Sequence, residues 1–140
     1  MNQHESGRRP AGPRGAVGAQ AEDAACAYLL GLGWAILGRN VRAGSDEIDI
    51  LGLEPEDAPT VVVVEVRSRS GRGFGHPQES VDRRKLGKLY RAATALRRGG
   101  HAAIEVSDLH GRPWRVDLVA LERTPGHAWS VVAHIRGLAL

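Results

Sequence analysis

The sequence of 140 residues holds one cysteine, one methionine and one phenylalanine, and aromatic residues make up only 4% of it. The lone Cys26 excludes an internal disulfide and any zinc site built from several thiolates. Flanked by Ala25 and Ala27, it reads as a buried thiol. The six histidines, His4, His76, His101, His110, His127 and His134, form no pair at a helical metal-ligand spacing and read as structural or exposed. No serine stands in a Gly-x-Ser-x-Gly elbow and Cys26 has no evident histidine partner, so nucleophilic acyl chemistry has no support. The glycine-rich stretch GRGFGHP at residues 71–77 lacks the Gly-Lys-Ser/Thr ending of a phosphate-binding loop and reads as a mobile loop. Internal repeats and coiled-coil heptads are absent. The opening MNQHESGRRPAGPRG has no apolar segment, so neither a signal peptide nor a membrane anchor is expected there. Residues 1–14 read as a flexible tail of a cytoplasmic protein and residues 15–140 as one domain, long enough to bury a core.

Lysine is also scarce: of 19 basic residues only Lys85 and Lys88 are lysine. The formal charge of +3 and the pI near 9.6 are modestly basic, and their placement says more than their sum.

Ala21, Ala25, Tyr28, Leu29 and Leu32 recur at helical spacing until Gly33, which predicts a helix over 16–32. At about 100° per residue, Glu22 lies on the flank of that apolar stripe and leans towards the core. Two short strands are expected over Trp34–Val41 and Glu47–Leu53, joined as a hairpin through Ala43, Gly44 and Ser45. In the second, alternation places Glu47 with Asp49 and Ile48 with Ile50. The run TVVVVEVRSRS at residues 60–70 predicts a central strand buried on both faces. Val63, Glu65 and Arg67 share one face of it, and Val62, Val64 and Val66 the other.

A second helix is expected from Ser80 or Asp82 to Gly99–Gly100, buried through Leu86, Leu89, Tyr90, Ala93 and Leu96. Opposite lie Arg84, Lys88, Arg91 and Arg98. Between Arg83 and Ile104 there are seven basic residues and no acidic one, so this face projects positive potential. Three further strands are expected in HAAIEVSDL, WRVDLVALE and WSVVAHI, with Trp129, Val131 and Val132 pairing an edge or finishing the core. Helix, strands, helix, strands is the order of an α/β sheet with helices packed on it.

The remaining chemistry is carboxylates on neighbouring strand ends. If the strands are adjacent, Asp49 and Glu65 converge to a separation that is costly without a cation. Hard oxygen donors suit Mg2+ or Mn2+, which activates water and stabilises charge on phosphate. A salt bridge between Glu65 and Arg67 is the competing account of the same residues.

An acid at one strand end followed by Glu-x-Lys at the next resembles the restriction-endonuclease-like, PD-(D/E)xK, nuclease superfamily. More specifically, GAQAEDAACAYLLGLGWAILGRN, DEIDIL, VEVRSR, FGHPQESVDRRK and WRVDLVA, in that order over residues 15–120, resemble the YraN-like family of small bacterial proteins. The resemblance implies a restriction-endonuclease-like α/β fold with a central mixed β-sheet flanked by helices. It matches Asp49 and Glu65 to the superfamily's metal-binding acids, with Mg2+ or Mn2+ as cofactor, and Glu22 to its first-helix glutamate. Asp117 and the segment Arg83–Lys85 lie in matched stretches and take no catalytic role. Arg67 stands where the pattern has lysine, Ala21 and Asp46 where it has glycine. Arginine is forked and always protonated, so Arg67 can hold phosphate charge but cannot carry a proton. The leading expectation is a nucleic-acid-binding, Mg2+-dependent nuclease acting on DNA, with Asp49, Glu65, Arg67 and Glu22 at the reacting centre and Arg84, Lys88, Arg91 and Arg98 on phosphates. The alternative is a catalytically impaired binding module of the same fold. A third is a protein-interaction domain whose basic face is buried in an oligomer. No membrane partner is expected, and oligomeric state stays open, a homodimer included.

Overall fold

A computed structural model describes residues 13–70 and 81–140. Among these residues the chain runs α1 (Pro13–Gly31), β1 (Ala35–Ala43), β2 (Asp46–Glu54), β3 (Thr60–Ser70), α2 (Arg83–Gly99), α3 (Val106–Leu109), β4 (Trp114–Arg123) and β5 (Ser130–Ile135). The strands form one mixed sheet in the order β1-β2-β3-β4-β5, in which only the β3–β4 pair is parallel. A parallel pair needs a crossover, and α2 supplies it. This is the expected α/β architecture, a central mixed sheet flanked by helices. The expected tail lies outside the described residues except for Pro13 and Arg14, which open α1. The expected mobile loop at 71–77 and the cap Ser80 also lie outside them.

The four valines explain why β3 is central. Val61, Val62, Val63 and Val64 are all fully buried, and they divide between two cores. Val61 and Val63 pack with Leu86, Leu89 and Leu96 of α2, while Val62 and Val64 pack with Ala25, Cys26 and Leu29 of α1. The two helices thus cover opposite faces, and every side chain of the run loses its water. Helix α1 stops where Gly33 takes φ +90°. Its amide donates to the Leu30 carbonyl (2.9 Å) and that of Trp34 to Leu29 (3.1 Å), the paired bonds of a glycine-ended helix. Leu32, expected on the buried stripe, is 46% exposed because the chain has left the helix at that point. Helix α2 starts at Asp82, whose carboxylate accepts from the Lys85 amide at 2.8 Å. Its buried residues are Leu86, Leu89, Ala92, Ala93 and Leu96, with Tyr90 half-buried. The hairpin β1–β2 turns tightly through Gly44 and Ser45 between the paired Ala43 and Asp46, with φ +65° at Gly44.

Two expectations are corrected. HAAIEVSDL is no strand: after Gly100 the chain folds into a turn, closed by the Ile104 amide on the His101 carbonyl (3.0 Å), and then into α3. The local bond is available at once, whereas a strand there has no neighbour to pair with. Ile48 and Ile50 do not share a core either. Ile48 packs on the α2 side and Ile50 on the α1 side, so alternation breaks at Asp49. Strand β5 pairs with β4 as an edge, its Val131 and the preceding Trp129 packing on the α1 side while Val132 stays exposed. No described helix is long and apolar enough to cross a membrane.

Candidate functional site

The break at Asp49 builds the site. The last rung of the β2–β3 pairing is Ile50 opposite Val64, so beyond it β3 has no backbone partner on β2. The Val66 amide donates instead to Asp49 Oδ2 at 2.9 Å. A side chain replaces a ladder carbonyl, which fixes the carboxylate at the fork where the two strands part. Glu65, one residue earlier on β3, is only 4% exposed. Arg67 Nη2 lies 3.1 Å from its Oε2, and Lys85 Nζ, reaching across from α2, lies 3.7 Å from its Oε1. Oε1 has no hydrogen-bond partner among the described residues, and neither does the buried Nε of Arg67. Burial first, and then the negative charge of Asp49, push the Glu65 carboxyl up to about 7, against the opposing pull of Lys85 and Arg67.

Glu22 joins this group from α1. Burial and then the charge of Asp49 raise its carboxyl above 4.5, while Arg39 and a hydrogen bond from Asn40 work the other way. Arg39 sits between Asp23 (2.8 Å) and Glu22 (3.8 Å). Glu22, Asp49, Glu65 and Arg67 therefore belong to one electrostatic cluster, linked through Asp49. Among the described residues no three His, Cys, Asp or Glu side chains form a cage for a metal ion. What the cluster offers is a pair of mutually repelling carboxylates, one with an oxygen left without a hydrogen bond. That donor set suits a hard divalent cation which keeps water or phosphate oxygens in its remaining positions.

The basic residues named from the sequence are not alike. Arg84, Arg91 and Arg98 are exposed on the outer side of α2 and Lys88 is half-buried. Arg91 faces Asp46 at 3.7 Å, so part of its charge is already met. A shallow groove runs along this side, lined by Tyr90, Arg91, Thr94, Arg98 and Leu140.

Arg39 and Asn40 escaped the sequence reading, and Lys85, placed there in a matched stretch with no catalytic role, stands beside Glu65. Only Asn40 carried a signal, since it is the single described non-glycine residue with positive φ (50°), a conformation asparagine tolerates. A second charged network was also missed. Fully buried Asp117 accepts from Arg115 through both oxygens (2.7 and 2.8 Å), bonds His134 Nε2 at 2.9 Å and accepts from the Gly137 amide. Arg115 and Arg136 both bind Glu54, and Tyr28 completes the chain by bonding His134. Burial alone would raise Asp117, but Arg115 and His134 hold it below its usual range. Every member is satisfied, so this network holds structure together and leaves no group over for chemistry.

Residues 21–121 match the family model described as uncharacterised protein family UPF0102. The chain belongs to this family. UPF0102 relatives span most of its length: one from Beutenbergia cavernae is 37% identical over 88% of this chain and 95% of its own. Another, from Persephonella marina, is 38% identical over 74% and 81%, and one from Moorella thermoacetica 44% over 77% and 79%. The matched UPF0102 region contains Glu22, Asp49, Glu65, Arg67 and Lys85, so the whole cluster lies within what the family shares in length.

Proposed function

We propose that this UPF0102 protein binds nucleic acid, DNA foremost, and hydrolyses its phosphodiester bonds with a divalent cation, in the cytoplasm. The observation that carries this reading is Glu65: a carboxylate almost wholly buried, beside a second carboxylate, with one oxygen lacking a hydrogen bond among the described residues. Such an arrangement is destabilising unless something uses it. Asp49 and Glu65 would hold Mg2+ or Mn2+, which when bound supplies a water of lowered pKa and a positive charge beside the phosphate. The chain's own residues do the rest. Val66 fixes the Asp49 oxygen, Arg67 fixes Glu65, and Glu22 supports the pair from α1. Arg84, Lys88 and Arg98 draw the phosphate backbone onto α2 without reading sequence.

The test is cleavage of labelled linear, single-stranded and branched DNA with magnesium or manganese, comparing the native chain with Glu65→Ala and Arg67→Lys. The expected result is cleavage that Glu65→Ala lowers at least ~100-fold. A second reading, a binding module without catalysis, draws on the 3.1 Å bridge between Glu65 and Arg67 and on the absence of a three-ligand cage among the described residues. It predicts salt-sensitive binding that survives EDTA and the loss of Asp49, with no cleavage of any substrate.

A further inference from the structure

We infer that Lys85, on the first turn of α2, is the residue that holds the phosphate in this site, and that Arg67 remains with Glu65 as its counter-ion. The inference rests on the nuclease reading above. It starts from the unequal hold of two cations on one carboxylate.

Arg67 stands two residues after Glu65 on the same face of β3, so the strand itself sets their spacing. Its contact with Oε2, 3.1 Å, is within hydrogen-bonding range, and its Nε is buried. Moving that guanidinium onto a ligand breaks a short contact to a buried carboxylate. Lys85 comes from a different layer. Its Nζ is 3.7 Å from Oε1, too far for a hydrogen bond, and that oxygen has no hydrogen-bond partner among the described residues. Its side chain, about as exposed as that of Arg67, ends in a compact ammonium on a flexible stem and has no hydrogen bond to Glu65 to give up, so it swings towards an incoming phosphate at little cost.

Position agrees: Arg84 and Lys88 flank Lys85 in sequence and belong to the basic side of α2, while Lys85 alone of the three also reaches the acidic cluster. It therefore joins the surface that gathers phosphates to the place where one would be cut.

The experiment measures binding of duplex DNA at fixed calcium over a range of salt, alongside cleavage in magnesium, for the native chain, Lys85→Met, Lys85→Arg and Arg67→Met. Calcium keeps the oxygen-ligand chemistry of the site. Lys85→Met is expected to lower the slope of log K against log salt by about 0.9, the loss of one phosphate contact, and Lys85→Arg to restore it. Cleavage by Lys85→Met at saturating DNA should fall ~100-fold with an unchanged melting temperature. Arg67→Met should keep the slope. If Lys85→Met keeps the native slope and Arg67→Met loses one contact, the inference is overturned and the nuclease reading stands. A native chain that neither binds nor cleaves DNA sinks both.

Discussion

Replacing Glu65 by glutamine should make the protein more stable at neutral and alkaline pH. Burial and Asp49 raise the Glu65 carboxyl from 4.5 to about 7. Between those values the folded chain keeps a proton that the unfolded chain has already released, so unfolding releases it and stability falls as pH rises. The gap of about 2.5 pH units, at about 1.36 kcal/mol each, makes ionised Glu65 a burden of about 3 kcal/mol above pH 7. Glutamine keeps the shape and removes the charge. Arg67 and Lys85 lose their partner, but their side chains are 37% and 35% exposed and can turn to water, at a cost of about 1 kcal/mol or less. The net gain is about 2 kcal/mol at pH 8 and vanishes near pH 4.5. Urea denaturation of both proteins between pH 5 and 8, read by linear extrapolation with the slope m checked for constancy, measures it. A glutamine variant less stable at pH 8, or two stability curves that run parallel across the range, would refute the reasoning.

Magnesium should raise the melting temperature of the native chain and leave Asp49→Asn and Glu65→Gln unmoved. At a concentration a hundred times its dissociation constant the effect is about 2.7 kcal/mol, readable by a fluorescence melt. Asp117→Asn should destabilise by about 3 kcal/mol in urea, because Arg115 and His134 lose a fully buried partner; a loss under ~1 kcal/mol would mean that the network rearranges freely. Since Asp117 is held low, its contribution is present above pH ~4 and disappears as pH falls through the folded value, so the native and asparagine proteins should converge in acid.

The elements that were legible in the sequence are those whose signal is local. Four β-branched residues in a row announced a strand buried on both sides, and Ala-Gly-Ser between two alternating runs announced the hairpin. Asp82 and Gly100 bounded α2 by chemistry that needs no tertiary context. What was not legible is what distance along the chain conceals. Asp49 changes the face of its own strand because it answers the Val66 amide 17 residues later. Lys85 had no role in the sequence reading until α2 was laid across β3. Asp117 finds partners beside it in Arg115 and far off in His134, and the pattern of β4 shows only that an acid interrupts an apolar run. For the candidate site, the sequence named acids on strand ends and the structure brings Asp49, Glu65 and Arg67 close together there, but the balance of charge around Glu65 required the third dimension.

The parallel pairing of β3 with β4 also shapes how the chain reaches this structure. Strands β1, β2 and β3 form a local meander, whereas Val61 must wait for Trp114, beyond the whole of α2, before its other edge is paired. Contacts of such separation form late. Through that interval the most apolar and most β-prone segment of the protein presents an open edge to every other nascent copy, the condition under which chains stack rather than fold. Glu65, Arg67 and Arg69 interrupt the run at its far end, where alternate charges discourage in-register stacking. The charged residues of the candidate site thereby also serve the fold, as gatekeepers that keep the valine strand available to its own sheet.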